Sequence, residues 1–335
     1  MRRRGEIVKI GDVAAAAGVS PATVSRVLNG TGRVSPERAE LVREAAARLG
    51  YEPFGPARAL RQLLTRVWAA IVADIENPFF TSMVRGAEDV ARMEGHRLVL
   101  GNSDEDLEKE ASYIDIAIAE RMAGVIIAVA STTESDLEPL LNRQIPVVAV
   151  DRRPRQHVVD SVLVDNQLGA DQATQHLLDG GSRRIACITG PSRLSTATER
   201  LQGYRDALVR NGVKVNRLHI RRADFRQMGG YKAARSLLES DDPPDALFVA
   251  NNLMTVGAVH AIRDMELRIP GDVALVGFDD QPWTTLTSPQ LTVVAQPTYE
   301  IGREAAQLLS TANTADGPRS VVLSPSLLIR ESSVR

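Results

Sequence analysis

Polar and aromatic side chains follow many of the buried strands that the sequence predicts. In open parallel sheets, ligands bind beyond the carboxyl ends of the strands, so these positions are the first candidates for a binding site. Aromatic faces with carboxylate, amide and guanidinium groups suit a small neutral polyol, because rings cover its C–H faces and charged groups bind its hydroxyls. We therefore predict a sugar site formed by Asn77, Phe79, Phe80, Asp151, Arg152, Arg200, Phe225, Asn251, Asp279 and Gln296.

Each of these residues also has a plain structural explanation. An aspartate after a strand often caps the next helix, and an arginine often pairs with a neighbouring carboxylate. For any single residue, the structural role explains the sequence at least as well as ligand binding does. Only the complete set favours binding.

The elements that must position this set begin near Val67. From there, buried strands such as VWAAIVAD alternate with amphipathic helices in roughly nine units, which predicts parallel sheets with right-handed crossovers. Nine units are too many for one compact doubly wound domain, so we predict an α/β domain of two similar lobes. We expect the first lobe to hold about residues 67–161 and 293–323, and the second about residues 162–292 and 324–335.

The N-terminal segment predicts a small all-α head. An apolar stripe at helical spacing runs from Ile10 to Ala17, and Gly18 interrupts it. Ser20 and Pro21 are good first residues for a second helix, so two short helices joined by a glycine-containing turn form a helix-turn-helix. A third helix follows and ends near residue 50.

The charge distribution indicates which part of the chain meets a polyanion. Residues 1–66 carry 12 Lys and Arg against 6 Asp and Glu, a net charge of +6, whereas the rest of the chain carries −8. A basic head on an acidic body indicates that only the head binds nucleic acid. The outward face of its second helix, offered to the major groove and the phosphates, is Pro21, Ala22, Ser25, Arg26 and Asn29.

Residues 9–61 resemble the DNA-binding head of the LacI/GalR family of bacterial repressors. The resemblance implies that Arg26 reads a base edge and that Pro21 and Ala22 lie against bases. It also implies that Ser20, Asn29 and Tyr51 contact phosphates, although packing explains Tyr51 equally well.

The segment from Pro56 to Arg61 resembles the hinge helix of the same family, which folds when two subunits meet on the operator. A helix this short is unstable alone and needs DNA and its partner copy. The resemblance implies that Leu60 wedges into the minor groove, with Arg58 and Arg61 on phosphates.

Residues 67–335 resemble the periplasmic sugar-binding fold of type I, which completes the LacI/GalR architecture. The ten sugar-site residues are similar to those of the periplasmic ribose-binding protein. The charged Asp151–Arg152 pair is similar to the ribose binder and differs from the purine-responsive repressors. The resemblance implies D-ribose as the inducer, and another pentose, a nucleoside or a phosphorylated sugar stays open. One departure is Asn252, where many relatives carry an aspartate.

The predicted organisation is a helix-turn-helix domain at residues 1–52, a hinge helix and linker at 53–66, and an effector-binding and dimerisation domain at 67–335. The predicted function is a sugar-controlled transcriptional repressor that binds pseudo-palindromic double-stranded operator DNA as a homodimer. No heptad pattern follows the last strands, so we expect no coiled-coil tetramer.

Two other classes of protein are weaker alternatives. A sugar-processing enzyme lacks support, because the chain has no dinucleotide fingerprint, phosphate loop or nucleophile elbow, and its five histidines lack metal-ligand spacing. We therefore expect no catalytic residue, metal or cofactor. A transport receptor without DNA function predicts an export signal, whereas Met1 to Arg4 precede a polar segment and no long apolar run follows. We expect a cytoplasmic, nucleoid-associated protein without a membrane span.

Overall fold

The computed structural model describes residues 8–28, 34–49, 51, 65–312 and 317–334. The chain divides into two compact units, Met1–Thr65 and Arg66–Arg335. Over the described ranges, no helix combines the length and the apolar character needed to cross a membrane.

The first unit contains three helices, α1 (Ile10–Ala17), α2 (Pro21–Leu28) and α3 (Pro36–Leu49). Their inward faces meet in a small core around Val13, Val24 and Val42, each fully buried. Gly18 ends α1 in the left-handed conformation at φ 64°, where glycine carries no steric penalty. The hydroxyl of Ser20 accepts the backbone N–H of Thr23 at 3.2 Å, which caps α2 as the sequence predicts.

The second unit alternates strands with helices. Its strands are β1 (Val67–Val72), β2 (Arg97–Asn102), β3 (Gly124–Ile127), β4 (Val147–Val150), β5 (Asp160–Val164), β6 (Ile185–Thr189), β7 (Ile220–Arg222), β8 (Ala246–Val249), β9 (Ala274–Phe278), β10 (Thr292–Ala295), β11 (Ser320–Leu323) and β12 (Ser326–Leu328). Its helices are α4 (Pro78–Met93), α5 (Leu107–Ala119), α6 (Glu138–Leu141), α7 (Asn166–Asp179), α8 (Ser195–Arg210), α9 (Gln227–Leu238), α10 (Asn252–Asp264) and α11 (Thr298–Ser310).

These elements form two lobes, each built on a six-stranded sheet. The first sheet has the order β11-β5-β4-β3-β1-β2 and is parallel throughout; the second has the order β12-β10-β9-β8-β6-β7. Only β12 runs antiparallel among the described strands, against β10. The central strands are buried on both faces, as expected when helices cover a parallel sheet.

The chain changes lobes at points that differ slightly from those expected. The whole of β5 pairs within the first sheet, so the first change follows Val164 instead of residue 161. Strand β10 pairs with β9 in the second sheet, so the return follows Ala295 instead of residue 293. The expected and observed points differ because hydrogen bonds to the neighbouring strand define where a strand ends. The pattern of apolar residues in the sequence marks that end only to within a few residues.

Helices α4 and α11 pack closely against each other on the first sheet, because each has a glycine where it meets the backbone of the other helix. A Cβ on Gly86 would lie 2.0 Å from the carbonyl oxygen of Tyr299, and one on Gly302 would lie 1.8 Å from that of Met83. No side chain fits there. This close contact holds the start of α4, which carries part of the predicted sugar site, firmly on its lobe.

Candidate ligand-binding site and DNA-reading helix

The structure brings all ten predicted sugar-site residues around one cavity between the two lobes. Strands of both sheets end at this cavity, with Asp151 directly after β4 and Asp279 directly after β9. The cavity volume is about 30 Å³, enough for one or two water molecules. A sugar would therefore enter only if the lobes part or side chains move.

The start of α4 supplies an aromatic wall. Asn77 caps the helix by accepting the backbone N–H of Phe79 at 3.0 Å. The rings of Phe79 and Phe80 meet edge to face, with centroids 5.0 Å apart and an interplanar angle of 86°. The opposite lobe contributes Phe225, whose ring occupies the space where a Cβ on Gly190 would come within 2.2 Å. Aromatic faces thus reach the cavity from both lobes.

Arg152 is a buried cation with two carboxylate partners. Its Nε donates to Asp151 at 2.9 Å, and its terminal nitrogen lies 3.4 Å from a carboxylate oxygen of Glu105. Burial opposes the charge, but Asp151 and Glu105 outweigh it and raise the pKa of Arg152. The guanidinium is therefore charged and held in position.

Arg200 of α8 forms the matching centre in the second lobe. It donates to Asn166 at 2.8 Å and to the carbonyl of Ala250 at 2.6 Å, and it stacks over the Phe278 ring at 3.8 Å. Burial lowers its pKa, although Asp279 and Asp151 favour the charged form. These contacts fix the orientation of the Arg200 guanidinium, which lines the cavity.

Asp279 is the buried carboxylate of the second lobe. Its oxygens accept hydrogen bonds from the amides of Gln296 and Asn252. Burial raises its pKa, while Arg200 and the two amides act in the opposite direction. The carboxylate is thus held by neutral donors.

Three residues of the site have left-handed backbones that non-glycine residues rarely adopt. The φ angles are 65° at Asp151, 61° at Phe225 and 73° at Asp279. Such conformations cost of order 1–3 kcal/mol each and concentrate at functional sites. Here each one turns a side chain out of the end of a strand or loop and into the cavity.

Sequence reasoning missed three residues that line the same cavity, Asp74, Glu105 and Thr196. Asp74 follows β1 closely, so the rule that selected the other residues applied to it too. Glu105 lies in the acidic loop after β2, where no apolar residue marks the end of the strand. Thr196 lies in the first turn of α8 and is 1% exposed, and its hydroxyl has no hydrogen-bond partner among the described residues. No sequence pattern marks it, because the packing of α8 brings it there.

Several contacts hold the two lobes together at the edge of the cavity. Arg226 of the second lobe forms ion pairs with Asp74 and Asp104 of the first, both at 2.5 Å. Arg193 of the second lobe lies 3.1 Å from Glu105 of the first. Together these ion pairs link the two lobes across the cleft at the edge of the cavity.

Asn252 adds a neutral contact across the same cleft. Its amide donates to Asn77 of the first lobe at 2.8 Å and to Asp279 of its own lobe at 3.2 Å. An aspartate here would lose both donors and add a second carboxylate beside Asp279. The amide of Asn252 therefore provides a hydrogen bond between the lobes that a carboxylate at this position could not donate.

The head presents much of the predicted DNA-reading set on the outer face of α2. Pro21, Ala22 and Arg26 are exposed, as is the cap residue Ser20, while Ser25 is half-buried. Tyr51 is half-buried and packs against the core of the head, which agrees with its structural alternative.

Four of the predicted DNA contacts lie outside the described residues. They are Asn29, Arg58, Leu60 and Arg61. Their roles stay predictions, as do those of the described members of the set.

Comparison with protein families identifies both parts of the chain. The model described as bacterial regulatory proteins, lacI family, matches residues 9–53. The model described as periplasmic binding proteins and sugar binding domain of LacI family matches residues 65–331. The chain belongs to the LacI family. It is a DNA-binding transcriptional repressor with a sugar-binding domain, and not an enzyme.

Individual relatives and structures agree with this assignment. The chain is 36% identical over 304 residues to the catabolite control protein A of Priestia megaterium, covering 90% of this chain and 92% of that one. It is 37% identical over 300 residues to the ribose operon repressor of Bacillus subtilis, covering 90% of both. The lac repressor dimer bound to operator and the anti-inducer ONPF matches with a TM-score of 0.82 and 26% identity, covering 98% of this chain and 100% of that one.

A test of the interlobe ion pairs is the substitution Arg226→Gln. The change removes the cation from two carboxylates, of which Asp74 is 6% exposed, so the closed arrangement should lose about 1 kcal/mol. Small-angle scattering should then show a larger radius of gyration than in the wild type. Arg235→Gln, which removes an exposed ion pair between α9 and its C-cap residue Glu239, is the matched control and should leave the radius unchanged. Equal radii of gyration in the wild type and both variants would contradict a role of Arg226 in holding the two lobes together.

Proposed function

We propose that this repressor responds to D-ribose and that ribose acts as its inducer. The observation that supports the proposal is that ten residues from separate segments line one cavity between the lobes. Their types are similar to those with which the periplasmic ribose-binding protein holds its sugar. The same cavity holds the buried Thr196 hydroxyl, which lacks a partner among the described residues and suits a ligand hydroxyl.

The chemistry of the walls favours a small polyol. Carboxylates and guanidiniums bind vicinal hydroxyls in pairs, and such charge-assisted bonds are about twice as strong as neutral ones. Asp151 and Asp279 accept, while Arg152 and Arg200 donate. Phe79 and Phe80 on one side and Phe225 on the other suit the C–H faces of a sugar ring.

The size and charge of the cavity favour a pentose over a nucleoside. The cavity of about 30 Å³ must expand for any sugar, and a base attached to the sugar would need a larger expansion. The charged Asp151–Arg152 pair is also similar to the ribose binder and differs from the purine-responsive repressors. Another pentose and a phosphorylated sugar remain the main competing ligands.

The proposed mechanism couples the two lobes to the operator. Ribose contacts both lobes, so it favours one interlobe angle over others and shifts the population toward it. In a homodimer on a pseudo-palindromic operator, that angle decides how the two heads and their hinge segments are presented. The protein then acts in the cytoplasm, on DNA of the nucleoid.

The first test is calorimetry of the full-length protein with ribose, xylose, adenosine and ribose 5-phosphate. We expect ribose to bind most tightly. Asp279→Ala should weaken ribose binding at least about 100-fold, because two charge-assisted hydrogen bonds are lost. Asp241→Ala, an exposed aspartate of the same lobe, should bind ribose like the wild type. Equal affinities across the panel, or tighter binding of adenosine, would rule out ribose as the specific ligand.

The second test concerns the DNA-reading face. Arg26→Ala should weaken specific operator binding about 10- to 100-fold, because one bidentate base contact carries about 1–3 kcal/mol of discrimination. Fluorescence anisotropy with operator and scrambled duplexes measures this loss. Arg43→Ala is the control, since this exposed arginine of α3 already pairs with Glu40 at 2.7 Å. A uniform loss on both duplexes would assign Arg26 to phosphate binding instead.

A further inference from the structure

A second, larger cavity opens beside the sugar site. Its volume is about 560 Å³, and residues of both lobes line it. The first lobe contributes the loop between β4 and β5 and the start of β11, and the second contributes the first turn of α8. Asp151 lines both cavities, so the two are direct neighbours.

This second cavity carries arginines without carboxylate partners. Arg153 donates to the hydroxyls of Ser161 and Ser320, and no carboxylate pairs with it in the part of the chain that the structure describes. Arg155 is exposed, and within the same described ranges its guanidinium has no hydrogen bond or ion pair. A third arginine, Arg319, also lines the cavity but already pairs with Asp160.

The acidic residues of this cavity are already engaged. Asp151 accepts from Arg152 at 2.9 Å, and Glu199 accepts from the amide of Asn166 at 2.9 Å. Glu199 keeps its negative charge, because a neutral amide does not neutralise it. Asp151 is paired with Arg152 and Arg319 with Asp160, so Arg153 and Arg155 leave the cavity with an excess of one positive charge. His157 also lines it and lies 3.4 Å from Asp136.

Hydroxyl groups also line the cavity, on Ser161, Ser195, Thr198 and Ser320. Ser161 donates to Ser320 at 3.2 Å and Thr198 donates to the carbonyl of Ser195 at 2.8 Å, so Ser195 and Ser320 are the hydroxyls that can donate to a ligand. Helix α8, 16 residues long, begins here. Its N-cap residue Leu194 provides no side-chain acceptor, and the hydroxyl of Thr132 accepts the backbone N–H of Ser195 at 3.0 Å. The positive end of the helix dipole therefore adds to the arginine charges.

We infer that this cavity binds the phosphate group of a small metabolite, as a site distinct from the sugar cavity. Planar guanidinium forks and hydroxyl donors match the geometry of a phosphate better than that of a neutral polyol. The volume accommodates the organic part of a phosphorylated metabolite as well. Because both lobes line the cavity, such a ligand contacts both and stabilises the arrangement in which they lie close together.

The test uses the full-length protein, inorganic phosphate and a chloride reference of equal ionic strength. Phosphate should raise the thermal midpoint of the wild type, because a ligand that binds only the folded state stabilises it. In Arg153→Gln/Arg155→Gln, phosphate should bind at least about tenfold more weakly in calorimetry, and the midpoint shift should vanish. Arg217→Gln, which removes an exposed arginine of the second lobe outside the cavity, should behave like the wild type.

The single variant Arg155→Gln separates folding defects from loss of binding, since its guanidinium makes no hydrogen bond or ion pair with the described residues. It should fold with the stability of the wild type and show a partial loss of phosphate affinity. Absence of phosphate binding in the wild type, or equal binding in the wild type and the double variant, would overturn the inference.

Ribose 5-phosphate identifies which molecule carries the phosphate. If saturating ribose blocks ribose 5-phosphate and the double variant also binds it more weakly, one phosphorylated sugar reaches from the sugar cavity into the second cavity. If ribose does not block it and the double variant binds it more weakly, the second cavity binds the phosphate independently of the sugar cavity. Binding of ribose 5-phosphate that the double variant leaves unchanged would contradict the inference. The inference does not rest on ribose as the inducer, because the phosphate titration is informative whether or not ribose binds.

Discussion

Four charged side chains lie buried where the two lobes meet, and most of the site depends on keeping them paired. Asp151, Arg152, Arg200 and Asp279 are each less than a tenth exposed. An unpaired charge at such a position costs several kcal/mol, so every neighbour that donates or accepts there is a requirement of the fold. Glu105 forms an ion pair with Arg152, and Asn166 accepts a hydrogen bond from Arg200. The amides of Asn252 and Gln296 donate hydrogen bonds to Asp279.

This requirement also explains why the lobes lie close together. Asn252 satisfies Asp279 within its own lobe and Asn77 across the cleft, and Glu105 bridges Arg152 and Arg193 in the same way. In the proposed mechanism, a polyol between the lobes replaces some of these contacts with hydrogen bonds to its hydroxyls. The site is therefore balanced between internal pairing and ligand binding, which is the condition for a binding event to change the interlobe angle.

Much of this arrangement could be predicted from the sequence, for physical reasons that differ between elements. The helix-turn-helix is local, so the stripe from Ile10 to Ala17 and the cap at Ser20 are sufficient to predict it. Most of the ten predicted residues were predictable because parallel strands place their carboxyl ends at one edge of the sheet, whereas Arg200 lies within α8 and was included through the resemblance to the ribose-binding protein. Thr196 and the pairing of Arg226 with Asp74 were not predictable, because they arise where two lobes pack and no periodicity records that packing. The second cavity was not predictable either, because Arg153 and Arg155 lie in a loop whose composition is that of an ordinary polar loop, and only the packing of the second lobe closes a cavity around them.

The central claim is that ribose and operator DNA act on one equilibrium of this repressor, and thermodynamic linkage gives its most direct test. Operator affinity should be measured at increasing ribose concentrations, and ribose affinity should be measured with and without a saturating operator duplex. The account predicts that ribose weakens operator binding and that the operator weakens ribose binding by the same factor. An operator affinity that saturating ribose leaves unchanged, in a protein that binds ribose, would contradict it.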